Sequence, residues 1–218
     1  MIPIEKTIIS LDWMTIAMFV GLLILALGKY LYHSKFFNFV ILPFNDKYVL
    51  LHNKKGQLLN WFHILLTLFQ LVNLSLFVFI ALSIFNAIPE GNPLTVFFVL
   101  MGCLALFQLL KFSVQFLKAY AFNTQELVSG LVFSKTSYFN YGSLVLCVAN
   151  IILIYILKDS KTIVYTAIIL ILLINGIGIV KLLKNYQKAV FPYFVYFILY
   201  LCALEIAPLV IIGSYLKD

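Results

Sequence analysis

One carboxylic acid stands in the middle of the apolar stretch YLCALEIAPLVIIG, residues 200–213: this is Glu205, with Pro208 three positions on. A carboxylate in hydrocarbon has to be protonated, paired or hydrated, because leaving it bare costs at least a few kcal/mol. Three chemistries compete for it: a neutral acid hydrogen-bonding another helix, an acid against which a partner subunit docks, or a carrier of protons or cations. Pro208 withholds a backbone donor and frees the carbonyl of Leu204 one turn back, so a helix kink with a second acceptor is expected beside the acid. Glu205 lies 11 residues from the outer end of its apolar run, Asn73 lies 12 from the end of its own, and Asn175 lies 13. At about 1.5 Å per residue all three fall near one depth. Gln70 and Gln108 fall slightly deeper, and the five residues are expected to form a polar layer inside the bundle.

A second group is basic. Gln108, Lys111, Gln115 and Lys118 follow three- and four-residue steps, so they share one helix face. Lys54, Lys55, Lys111, Lys118, Lys181 and Lys184 are expected to make a basic cytoplasmic face. Their lysines either snorkel toward headgroups or line a groove for a lipid phosphate or an acidic partner. Anionic lipid headgroups are the expected company of that face.

Other reactive residue types lack companions. His33, His52 and His63 sit in or beside one loop without a second ligand at metal spacing, and Cys103, Cys147 and Cys202 fall singly in different apolar runs. Ser143 has no histidine at membrane depth to serve it as a base. Asp46 and Glu126 are the acids offered to an interfacial lipid substrate. The pair of glycines in NGIG, residues 175–178, sits in an apolar helix without a strand before it, which suits close helix packing rather than phosphate binding. No catalytic residue, metal or cofactor is expected, and the chain reads as a non-enzyme.

The elements that hold these residues follow from composition. Among 218 residues 64% are hydrophobic and 11% charged, against roughly half and a quarter in soluble domains. Six runs reach the roughly 20 residues that cross a hydrocarbon core: near 12–32, 61–85, 94–117, 138–157, 162–183 and 191–216. The expectation is all-α: one transmembrane domain, residues 1–218, of six membrane-spanning helices with short outer loops and cytoplasmic loops at 33–60 and 118–137.

Charge orients the bundle. Eleven of the fifteen lysines, with Asp46 and Glu126, fall beside the first, third and fifth connections, for a net +9; four lysines and five acids fall on the opposite side, for a net −1. Positive residues favour the cytoplasm, so both termini are expected outside. Glu5, Lys6 and Asp12 precede the first span and the lysines follow it, the reverse of a signal peptide, so that span is expected to remain. Trp13 and Trp61 fall at its outer end and at the inner start of the second span, where interfacial aromatics belong. Arginine is absent, which removes bidentate phosphate recognition and weighs against nucleic acid.

Two loops carry structure of their own. The aromatic run after His33 suits the membrane interface and ends at Pro43, and KYVLL, HNKKG and QLLN read as a hairpin around a turn. Asn123 or Thr124 can cap a helix with Leu127 and Leu131 on one face, either lying on the membrane surface or continuing the third span.

The segments NKKGQLLNWFHILLTLFQLVNLSLFVF (53–79), NTQELVSGLVFSKTSYFNYG (123–142) and LYLCALEIAPLVI (199–211) resemble a family of Bacteroidetes membrane proteins catalogued as a domain of unknown function. The resemblance implies the inner membrane of a diderm bacterium and transfers no catalytic residue. The function expected is an accessory or scaffold subunit of a larger membrane complex, contacting the bilayer and partner subunits. The alternative is a small proton- or cation-coupled transporter built on Glu205.

Overall fold

The computed structural model describes residues 12–44, 60–88, 91–121 and 125–185. They are helical throughout apart from turns, and no strand occurs among them. The elements are α1 (Asp12–Leu31), α2 (His33–Val40), α3 (Trp61–Ile84), α4 (Pro93–Ala121), α5 (Gln125–Ile151), a π-helical turn at Ile152–Ile156, and α6 (Lys161–Asn185). Among the described residues five stretches are long and apolar enough to cross a membrane: Asp12–Leu31, Trp61–Ile84, Pro93–Gln115, Ser129–Ile156 and Lys161–Leu182. A helix is the open-chain conformation that satisfies its own backbone in lipid. The chain divides into two compact units, 1–178 and 179–218, and of the second only the end of α6 is described. The expected sixth span at 191–216 and the hairpin strands at 47–59 lie outside the described residues.

Helix boundaries follow local chemistry. Asn60 caps α3 by accepting from the Phe62 amide at 3.4 Å. Asn92 accepts from Leu94 at 3.1 Å, and Pro93 occupies the first helical position, where its missing N–H is no loss. Asn86 and Asp159 take positive φ, 54° and 62°, in the short connections after α3 and after the π-helical turn. Asn and Asp are the side chains that tolerate this region best.

One boundary differs from expectation. The helix foreseen near 124–134 belongs neither to the membrane surface nor to the third span: it runs without a break into the fourth, so α5 extends from Gln125 to Ile151. Residues 118–137 are expected as a loop, with Ser129, Ser134 and Ser137 in it, and Asn140 as part of the fourth span at 138–157. Their polarity instead faces inward, because Ser134, Ser137 and Asn140 are all buried.

Helix α3 is the hub, packing against α1, α4 and α5. Half of the α3 and α5 spans is buried, against 6% of the α4 span, which leaves Leu106, Leu109 and Leu110 outward. One apolar cluster, at the Trp13 end, joins Met14, Met18, Phe69, Leu76, Phe79, Phe97, Leu153 and Val164. Trp13 turns into it rather than lying only at the interface, with Phe79 at 5.0 Å edge-on and Phe97 at 5.2 Å. At the other end, α2 folds back so that Phe39 and Leu42 are fully buried with Phe62, Leu66, Phe133 and Tyr138.

Candidate functional site

Between these apolar clusters runs a polar seam. On α3, His63, Thr67, Gln70 and Asn73 recur at steps of four, three and three residues, which places them on one face. On α5, Ser137, Asn140, Ser143, Cys147 and Asn150 recur at steps of three or four, and all are buried. The two helices run in the same direction, since the pairings His63 with Phe133, Thr67 with Asn140 and Asn73 with Asn150 climb together.

Three joints cross the seam. Asn140 Nδ2 donates to Thr67 Oγ1 at 3.2 Å, Asn150 Nδ2 donates to the Asn73 carbonyl at 3.0 Å, and Gln108 Nε2 of α4 donates to Gln70 Oε1 at 3.0 Å. The hydroxyls are spent locally: Thr67, Ser75 and Ser137 each donate to the carbonyl four residues back, and Ser143 to Asn140. Helix α1 approaches at Gly21, where a Cβ would stand 3.3 Å from Asn73 Nδ2. The seam is therefore wrapped by α1, α3, α4 and α5.

Several polar atoms in it remain over. Both ring nitrogens of His63, Gln70 Nε2, Asn140 Oδ1 and Asn150 Oδ1 are buried and make no hydrogen bond within the protein. Each such group carries a desolvation penalty unless an ordered water or a further polar group meets it. The seam holds both donors and acceptors of this kind, so water would find partners of either sense.

The structure brings some of the expected layer together. Gln70 meets Gln108 directly, and Asn73 meets Asn150, a residue the depth count did not single out. Asn175 does not reach the level of Asn73. It lies near Gly142, with its amide donating to Ile171 at 2.9 Å. Gly142 is eight residues before Asn150 on α5, so Asn175 sits about 12 Å nearer the lysine-rich end than Asn73 does. Depth estimated from span ends fails here because the helices are staggered. Glu205 and Pro208 lie outside the described residues.

Asn140 and Asn150 carried a readable signal, the three- and four-residue recurrence of small and amide residues in α5. Starting the fourth span at 138 left only Ser137 outside that pattern.

Of the basic face, Lys54 and Lys55 lie outside the described residues, as does the side chain of Lys118. Lys184 is exposed and Lys181 half-buried. Lys111 does not simply fan out toward lipid: it is half-buried and interacts at short range with Lys135 of α5. Gln115, one turn along the same α4 face, is buried. Among the described residues no three His, Cys, Asp or Glu side chains cluster as metal ligands would.

A family model described as "Domain of unknown function (DUF4271)" matches residues 14–216. No curated protein and no solved structure matches the chain.

Proposed function

The chain belongs to the DUF4271 family of unknown function, and on that footing we propose that it is a non-enzymatic inner-membrane protein, an accessory or scaffold subunit of a larger membrane complex. The carrying observation is that three side-chain hydrogen bonds of its polar seam join α3 to α4 and α5, and that the seam is flanked by apolar clusters toward both ends. Intramembrane amide contacts of this sort contribute about 0.6–2 kcal/mol each and specify which helices pack. That suits a rigid body presenting a fixed surface. In this reading both termini face the periplasm, and Glu205, in the final span, is where a partner helix docks.

Tagged protein purified from native membranes in mild detergent, with quantitative mass spectrometry, tests the proposal. A partner retained at near-equal amount is expected, and Glu205→Gln should weaken its retention. Repeated recovery of the chain alone from several mild detergents would overturn the proposal.

A second reading, proton- or cation-coupled transport through Glu205, draws support from the unpartnered atoms of His63, Gln70, Asn140 and Asn150, which water could link. It predicts pH-dependent solute uptake into liposomes that Glu205→Gln abolishes while expression is kept. Equal uptake by both proteins would exclude it.

A further inference from the structure

We propose that the α3–α5 interface is a binding site for internal water, which bridges the His63 imidazole to the side-chain carbonyl of Asn140 and closes a ring of hydrogen bonds between the two helices. Both ring nitrogens of His63 and the Oδ1 of Asn140 are enclosed and make no hydrogen bond within the protein. The residues are 4% and 0% exposed, so bulk solvent does not meet these atoms. A neutral imidazole has one N–H to give and one lone pair that receives, whereas an amide oxygen only receives. Water can take the imidazole N–H and donate to the amide oxygen, serving one group of each sense.

Which atom of Asn140 is left over follows from its neighbours. The Thr67 hydroxyl gives its hydrogen to the His63 carbonyl at 2.9 Å. Toward Asn140 it can then only accept, so the atom 3.2 Å from it is the amide nitrogen and the one left over is the oxygen. Two hydrogen bonds thus lead from the His63 main chain to the Asn140 amide, and water carries the circuit back to the His63 ring.

Neither group is free to swing away. The His63 ring lies against Phe133 with centroids 5.0 Å apart, and the Asn140 amide is held by Thr67. Phe133, Ser137 and Asn140 follow one face of α5 at steps of four and three residues, so ring and amide share one strip of the interface.

The lining selects water as the ligand. Thr67, Ser137 and Asn140 are short and uncharged, and the Ser137 hydroxyl is already given to the Phe133 carbonyl. Phe62, Leu66, Phe133 and Tyr138 belong to the apolar cluster at this end of the seam. Buried waters typically make about three hydrogen bonds to groups that would otherwise go unsatisfied. The bridge rests on neither reading of function, since a rigid scaffold and a transporter would hold it alike.

The test uses the full-length H33Q/H52Q variant, in which His63 is the sole histidine, isotope-labelled at histidine and reconstituted in liposomes. Solid-state NMR reads magnetisation passing from water protons to the imidazole nitrogens. Transfer to the His63 ring is expected, with most of it lost in N140L. No transfer in the folded single-histidine protein would overturn the bridge, and this measurement decides even where N140L fails to fold. Undiminished transfer in folded N140L would overturn Asn140 as the second anchor.

Thermal melts supply a separate readout. H63F removes the ring nitrogens but keeps the carbonyl that Thr67 uses. The losses of melting temperature in H63F and N140L should be less than additive in H63F/N140L, because both release the same water. Additive losses would overturn the bridge.

Discussion

The glycine pair of α6 offers a direct test of the packing, because the two positions differ so sharply. A methyl built on Gly178 would stand 2.5, 2.8 and 2.9 Å from Tyr138 Cγ, Cδ2 and Cβ, whereas one on Gly176 meets nothing within 4 Å. The contacts at Gly178 are with the root of the tyrosine side chain. A rotamer change cannot clear them, so the α5 and α6 backbones must separate. Overpacking of this kind costs about 1–3 kcal/mol. Replacing glycine by alanine within a helix returns up to about 1 kcal/mol at either position. Gly178→Ala should therefore be about 1–3 kcal/mol less stable than Gly176→Ala, a gap of roughly 3–10 °C in melting temperature for a chain of this size.

The assay is thermal unfolding in detergent, followed by circular dichroism or by aggregation on size exclusion. Gly142→Ala is the intermediate control, since its methyl would meet Ile171 at an ordinary 3.6 Å. In a Tyr138→Ala background, which removes Cγ and Cδ2 and keeps Cβ, the Gly178→Ala cost should shrink, and the difference gives the coupling energy of the ring contacts. Equal melting temperatures for Gly178→Ala and Gly176→Ala would refute the close approach of the two helices at this point.

Further outcomes follow from the seam. Gln108→Leu removes the partner of a fully buried Gln70 and should cost about 1–3 kcal/mol, while the Gln70→Leu/Gln108→Leu double variant should recover much of the loss in the same melts. Asn150→Leu should lower stability by about 0.6–1.7 kcal/mol, the range measured for hydrogen bonds between membrane helices; no change would show that the joint to Asn73 carries no stability. The two tryptophans should separate by quenching. Trp61, 71% exposed, should be reached by quenchers at headgroup depth when Trp13 is replaced by phenylalanine. Trp13, packed on Phe79 and Phe97, should resist them in the converse variant, and equal quenching would displace it from that aromatic cluster.

Hydropathy made most of the fold readable. The runs expected at 12–32, 61–85, 94–117 and 162–183 match described spans to within two residues at each end, because a membrane helix must be apolar over a fixed length. The fourth departed, beginning at Ser129 instead of 138. Its first turns bury their polar groups against α3 rather than showing lipid a uniform apolar surface, and a hydropathy average counts those groups as exposed.

Legibility of the site split in the same way. Gln70 and Asn73 stood out as amides inside an apolar run, which says that they need partners. Which partner each finds depends on rotation about the helix axis and on stagger between helices. Counting residues from span ends supplies neither, so Asn175 was placed beside Asn73 and Asn150 was passed over. Lys111 was legible as a basic residue at the membrane boundary. That Lys135 comes to meet it is a tertiary fact, written in neither helix alone.

At Ile152–Ile156 the fourth span leaves α-helical geometry, and the Leu157 amide reaches back five residues to the Ile152 carbonyl at 2.8 Å. Just there Tyr155 donates to Thr15 at 2.9 Å, tying this end to α1. A turn that holds one residue more than an α-turn acts as a slip joint. In an ordinary helix, inserting or deleting a residue rotates everything beyond it by about 100°. Here such a change can be taken up within one turn, leaving Asn140 and Asn150 facing α3. Length variation among descendants of this chain should therefore collect at the C-terminal end of the fourth span, and the interior registry should pass through it unchanged.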